Sequence, residues 1–275
     1  MRSLSCLCLL FLSLFWLPAS GQETGVRSHA FMVGAGSSHQ LDTYLSPIQY
    51  SGYQISILRE TLRQTSLFKG RGSFQSIWQG TFSQSHSRYG SQTDWGGHIG
   101  YDALWHYGWT PLPDLRLMAG WAVGADAGFL YNTSGGNNPA QGRFCIDLSA
   151  SVMAIYHFRL WGIRWGLRYQ ARIPFMGIMF CPAFGQSYYD IGQGNWSNTV
   201  RFSYPGNAFC IWQQLTLDIP VSPRLTLRTG YLCDIRQSHV NGIRVHDRSH
   251  SFLLGVVCYF QRITGSRTQK LPVIL

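Results

Sequence analysis

Charge is what this chain has least of. Acidic and basic residues make up 12% of its 275 positions, about half the usual share of roughly 25%. Lysine is almost missing: of 22 basic residues only Lys69 and Lys270 are lysine, so the formal charge of +10 is carried by arginine. A basic balance ordinarily points to nucleic acid. Here the arginines alternate with aliphatic residues instead of clustering on one exposed face, which argues against that partner. Beyond the first 21 residues there is no run of about 18 apolar residues, which excludes a helical membrane span. Cysteine is sparse and odd in number past that point: Cys145, Cys181, Cys210, Cys233 and Cys258. Such a set is no disulfide framework, and without CxxC pairs or histidines at zinc spacing no metal or cofactor is expected. Cys181 and Cys210 flank one long loop and could bridge it in an oxidising compartment.

The N-terminus reads as a secretory signal over residues 1–21. Arg2 supplies the charge, residues 7–17 the apolar core, and Ala19-Ser20-Gly21 small residues before a cut at Gln22. Residues 22–275 then form a single domain.

Residues 143–179 define what that domain is. Phe144, Ile146, Leu148, Ala150, Val152, Ala154, Tyr156, Phe158 and Leu160 fill every second position. After Trp161-Gly162 the alternation resumes with Ile163, Trp165, Leu167, Tyr169, Ala171, Ile173 and Phe175. Period two means strand, because successive side chains point to opposite faces. These strands are far longer than the usual five or six residues or so. One face is apolar throughout and the other carries Asp147, His157, Arg159, Arg164, Arg168 and Arg172. A membrane barrel puts such an apolar face in lipid and the polar face in its lumen.

Ten strands are expected, near residues 28–37, 53–64, 73–84, 95–109, 115–131, the two of the hairpin, 209–221, 225–238 and 251–262. The connections after the second, fourth, sixth and eighth are short. Those after the first, third, fifth, seventh and ninth read as longer and rich in Gly, Asn, Ser and Tyr, with residues 180–208 the longest. This is the pattern of a bacterial outer-membrane barrel, with short periplasmic turns and long outer loops. Aromatics gather at two levels, Trp105, Trp109, Phe158, Trp161 and Trp165 near the turns and Trp95, Phe129, Tyr131, Phe144 and Phe175 near the loops, as girdles at both headgroup levels would.

Several segments resemble a family of Bacteroidota outer-membrane barrel proteins known only as a domain of unknown function. They are LDTYLSP at 41–47, FLYN at 129–132, GNNPAQ at 136–141, GQSYY at 185–189 and GYLCDIRQS at 230–238. The resemblance implies the outer membrane and a barrel fold, and brings no activity or catalytic residue with it.

The inward face carries the candidate chemistry. Arg164, Arg168, Arg172, Asp218, Arg228, Asp234 and Arg236 form the expected charge network, with Glu60, His98, Asp102, His106, Arg116, Asp126 and Asp147 as further inward groups. A turn at Ser222-Pro223-Arg224 sets Asp218 directly opposite Arg228. Buried charges must pair to offset desolvation, so a side-chain-filled lumen is the first reading and a narrow anion-favouring channel the second. In the long loop, Tyr188, Tyr189, Trp196, Phe202 and Tyr204 lie among glycines and asparagines, a composition suited to recognition of an extracellular ligand or an envelope protein. A rim-sited hydrolase is the third reading. It would draw on His39, Asp42, His86, Ser87, Asp94, Asp190, His239, His246, Asp247 or His250, but sequence proximity alone does not make a relay. The lipid bilayer is the one partner the pattern itself requires.

Overall fold

The computed structural model describes residues 26–88, 92–135 and 139–261. The expected signal segment lies outside them. What is described is one closed antiparallel barrel built from β1 (Val26–Asp42), β2 (Ser46–Thr65), β3 (Gly72–Ser87), β4 (Thr93–Leu112), β5 (Leu115–Asn132), β6 (Ala140–Leu160), β7 (Ile163–Phe180), β8 (Val200–Ser203), β9 (Ala208–Ser222), β10 (Leu225–Val240) and β11 (Ile243–Gln261). The sheet runs β6-β5-β4-β3-β2-β1-β11-β10-β9-β7-β8, and β6–β7 pairing closes it. The first and last strands lie side by side, with Met32 opposite Gly255. Closure leaves no long exposed edge to recruit another chain.

Ten staves therefore ring the lumen, and β8 is a short piece against the loop end of β7, where Phe180 pairs with Val200 and Gly177 with Ser203. The alternation read in the sequence is what turns the staves. Phe31, Val33, Ile55, Ile57, Ile99, Val152 and Leu254 lie exposed on the outer face. Between them, Ala30, Met32, Ser56, Leu58 and Leu253 point inward and are buried. Aromatic pairs band the turn end, with Trp105 stacked on Trp121 at 4.4 Å and Phe158 beside Trp165 at 6.3 Å.

The strands run further than the sequence suggests, and two connections at the loop end shrink accordingly. Residues 43–45 join β1 to β2, and Asn241-Gly242 alone joins β10 to β11. Both residues of that turn have positive φ, 55° and 77°. This left-handed pair matches the strand twist in a two-residue hairpin, and Asn-Gly is its preferred sequence. The long connection is less irregular than expected. It holds β8 and a single helical turn, α1 (Tyr188–Gly192), started by a capping box between Ser187 and Asp190.

The β9–β10 register is the expected one by a different route. Leu225 pairs with Ser222 and Thr226 with Pro220, so the turn has two residues and Val221 bulges. The bulge restores the count, and Arg228 faces Asp218.

Candidate functional site in the lumen

Inward side chains meet across the barrel in storeys. Near the turn end, Glu60 on β2 receives two hydrogen bonds from Arg168 on β7, at 2.5 and 2.6 Å. These staves stand on opposite sides of the ring, so the pair spans the lumen. Arg228 makes a bidentate pair with Asp218 at 2.6 and 2.7 Å and reaches Glu60 at 3.4 Å. All four groups are at most 5% exposed. Two guanidiniums meet two carboxylates here, and the charges balance.

Above this storey most staves turn apolar side chains inward, while β6 presents the buried Ser149 and β7 the buried Gln170. Met32, Leu58, Leu104, Trp212, Leu232 and Leu253 belong to one buried cluster. Their place follows from the two-residue period: Leu58 precedes Glu60 on the same face, and Leu104 lies between Asp102 and His106. Amide braces accompany the cluster. Gln75 and Gln170 exchange hydrogen bonds at 3.0 and 2.8 Å, and the Trp212 indole donates to Gln79 at 2.8 Å from the opposite wall.

Towards the loop end the ionic pattern changes to one arginine between two aspartates, three times over. Arg172 donates to Asp102 and lies 3.9 Å from Asp147. Arg236 pairs with Asp234 at 3.0 Å and Asp126 at 3.4 Å, and His98 holds the same Asp126 at 2.7 Å. Arg143 spans from β6 to Asp42 at 2.8 Å and Asp247 at 3.3 Å. Six carboxylates thus face three guanidiniums and one imidazole. These groups line or adjoin a cavity of about 170 Å³ whose other walls include Phe144, Met179, Phe180, Cys145 and Cys210.

Of the charge network expected from sequence, Arg168, Asp218 and Arg228 sit in the lower storey and Arg172, Asp234 and Arg236 beside the cavity. Arg164 is elsewhere: it pairs with the exposed Asp114 at 3.1 Å on the turn-end rim, because it is the second residue of β7. The loop aromatics separate. Tyr188 is a strut, accepting the Gly142 amide at 2.6 Å and packing edge-on to Tyr44. Tyr189, Trp196, Phe202 and Tyr204 are exposed, the last two stacked on one another. The Tyr44 hydroxyl donates to the Gln186 carbonyl at 2.8 Å. Burial, with Tyr188 and Asp42 nearby, pushes that phenol up to about 12.

At the rim His39 meets Ser51 and His86 meets Thr93, and further down the outer wall His250 meets Tyr231. No Ser/His/Asp relay joins them among the described residues, and no cluster suited to a metal occurs there. Cys181 and Cys210 are free thiols. Cys181 is buried against Val240 and Ile243, and its Sγ lies 3.7 Å from the Val240 carbonyl. The inward groups expected from sequence did not include Arg143, although it shares the parity of Cys145 and Asp147, nor the apolar lumen layer. The signal for that layer was there, in doublets such as Ile57-Leu58 and Leu253-Leu254 that are apolar on both faces of the strand.

A closed ten-stave antiparallel barrel with an apolar outer face and a packed polar lumen defines a protein of the outer-membrane-barrel type. The chain belongs to the family described as "Protein of unknown function (DUF3316)", whose model matches residues 3–267. Among solved structures it is similar to the outer membrane protease OmpT from Escherichia coli (8% identity, TM-score 0.49, covering 88% of this chain and 98% of that one). It is also similar to the translocator domain of the autotransporter NalP from Neisseria meningitidis (12%, 0.42, 94% and 96%). A third is the transport unit of the autotransporter AIDA-I from Escherichia coli (8%, 0.43, 91% and 94%). No curated protein matches the chain.

Proposed function

We propose that this is an outer-membrane barrel with a closed lumen whose loop-end cavity binds a ligand, and that it is neither a porin nor an enzyme. In this reading the loops face outside, the short turns and both termini face the periplasm, and residues 1–21 are a signal removed during export from a Gram-negative cell. A Bacteroidota source belongs to the same reading.

One observation carries it: the buried layer of Met32, Leu58, Leu104 and Leu253, each at most 1% exposed, between two ionic storeys. The strand count supports it as well. Interiors of about eight strands are filled by side chains, and open aqueous channels are typical of about sixteen. An anion path would need arginines free to meet the ion, whereas Arg168, Arg172, Arg228 and Arg236 are each held by carboxylates.

The test is single-channel recording of the purified protein in planar bilayers. Silence is expected. Stable porin-sized conductance would overturn the closed lumen and put solute transport in its place.

A further inference from the structure

The barrel wall has one interrupted ladder. β7 pairs with β9 from Gly166 to Arg172 and with β8 from Gly177 to Phe180. Between those stretches residues 173–176 of β7 face residues 204–211 without a pair, four residues against eight. Two features keep the ladder from closing. Pro174 has no amide hydrogen to offer. On its other side β7 is bulged against β6, where Ser149 pairs with Pro174 and Leu148 with Met176. Met176 and Phe175 are consequently both exposed on the outer wall, at 43% and 40%.

The cavity reaches this seam. Pro174, Ser203, Ala208, Cys210 and Ile211 are among its lining residues, together with the cavity groups Asp126 and Arg236. Outside the seam the wall is apolar, with Ile173, Ile178, Phe202 and Phe209 all exposed. The seam lies level with Phe175, in the aromatic band of the loop end. A cavity of about 170 Å³ is too small for a whole lipid, since even a cavity of about 150 Å³ is filled by a benzene-sized group. An occupant entering here would keep its tail in the bilayer.

The head of that occupant is set by the charges. Six carboxylates against three guanidiniums and His98 leave negative charge to be offset. Uncompensated buried charge is costly and is met by protons or by a cation. A second observation calls for a donor with the cation: Gln40 lines the cavity, is 5% exposed, and its Oε1 has no hydrogen-bond partner. We propose that the gap between β7 and β9 is a lateral portal through which a single-chain amphiphile places a primary ammonium head in the loop-end cavity. This rests on the closed, ligand-binding lumen argued above.

The native thiols report on it. Cys145 and Cys210 face the cavity, with the buried Cys181 also in its wall, whereas Cys258, between the inward positions Val257 and Tyr259, faces the opposite way on β11. In phosphatidylcholine vesicles carrying the full-length protein, N-ethylmaleimide should alkylate Cys145 and Cys210, and dodecylamine should slow both at least tenfold with Cys258 unchanged. Dodecanoic acid and methylammonium should give no protection, and Ala208→Trp should abolish protection by dodecylamine while circular dichroism stays that of the parent. The unsubstituted protein suffices if that variant does not fold. Unreactive cavity thiols, or no protection by dodecylamine, would overturn the proposal, and equal protection by dodecanoic acid would overturn the ammonium head. Equal protection by methylammonium would remove the portal and leave the closed, ligand-binding lumen standing. A conducting barrel would remove that reading instead.

Discussion

Asp218 and Arg228 face each other directly across the β9–β10 ladder, and the Arg228 guanidinium donates two hydrogen bonds of 2.6 and 2.7 Å to the Asp218 carboxylate inside the barrel. The pair lies one bulge away from the turn, and without Val221 left unpaired it would be out of register. Arg228→Leu strands Asp218 and removes a partner of Glu60. Breaking a buried pair from one side costs about 3–5 kcal/mol, to be read as a lower urea midpoint for unfolding from vesicles. The double variant Asp218→Leu/Arg228→Leu should recover part of that loss, and equal losses for single and double variants would refute the coupling.

The apolar layer makes its own prediction. Trp212→Ala removes a side chain that is 4% exposed and braced to Gln79. A cost of about 3–5 kcal/mol follows for emptying such a site. If the layer is the seal, combining Trp212→Ala with Leu104→Ala should also convert a silent barrel into one with small conductance events in planar bilayers.

Orientation is tested by tags. Gly136 lies outside the described residues, but its loop leaves β5 at the end of the barrel where β1 and β2 also join. An epitope inserted there should be reached by antibody on intact cells, and one at Lys69, in the connection between β2 and β3 at the opposite end, should not. The reverse pattern would invert the barrel in the membrane.

The two-residue turn at Asn241-Gly242 is a further test of the fold. Gly242 has φ of 77°, a conformation that costs a side chain about 1–2 kcal/mol. Gly242→Val should destabilise the barrel by about that amount, and Asn241→Gly should change stability far less. Thermal melting by circular dichroism separates the two.

The loop cap gives a pH dependence. The Tyr44 hydroxyl must keep its proton to donate to Gln186, and its folded value is raised to about 12 from the ordinary value of 10. A raised value means that its contribution is complete below pH about 10 and is lost as pH rises towards about 12. Tyr44→Phe should cost about 0.5–1.5 kcal/mol at neutral pH, the net worth of one hydrogen bond, and should remove that alkaline step from the unfolding profile.

The staves could be read from the sequence because period two is a local signal, repeated over strands of 15 to 21 residues. The inward identity of Arg168, Arg172 and Arg228 came from the same parity. What no parity reports is which stave stands opposite which. Glu60 and Arg168 are 108 positions apart, and their meeting depends on the closed ring. The ends of β1, β10 and β11 were hidden too, since polar strand tips such as His39-Gln40 look like loop until their partners are known. The interrupted ladder beside Pro174 was visible only as a proline in an otherwise regular strand.

The cross-lumen braces also bear on how the barrel forms. Glu60–Arg168 joins β2 to β7, and Arg143–Asp42 joins β6 to β1. Neither pair can meet while the sheet is open. An unclosed sheet would hold these charges unpaired and present two bare edges. The gain from these cross-lumen pairs therefore comes late, when β1 and β11 meet. Contacts this distant in sequence make closure slow. They also reward only the fully circular arrangement, so a sheet lacking one stave would be selected against by its own interior.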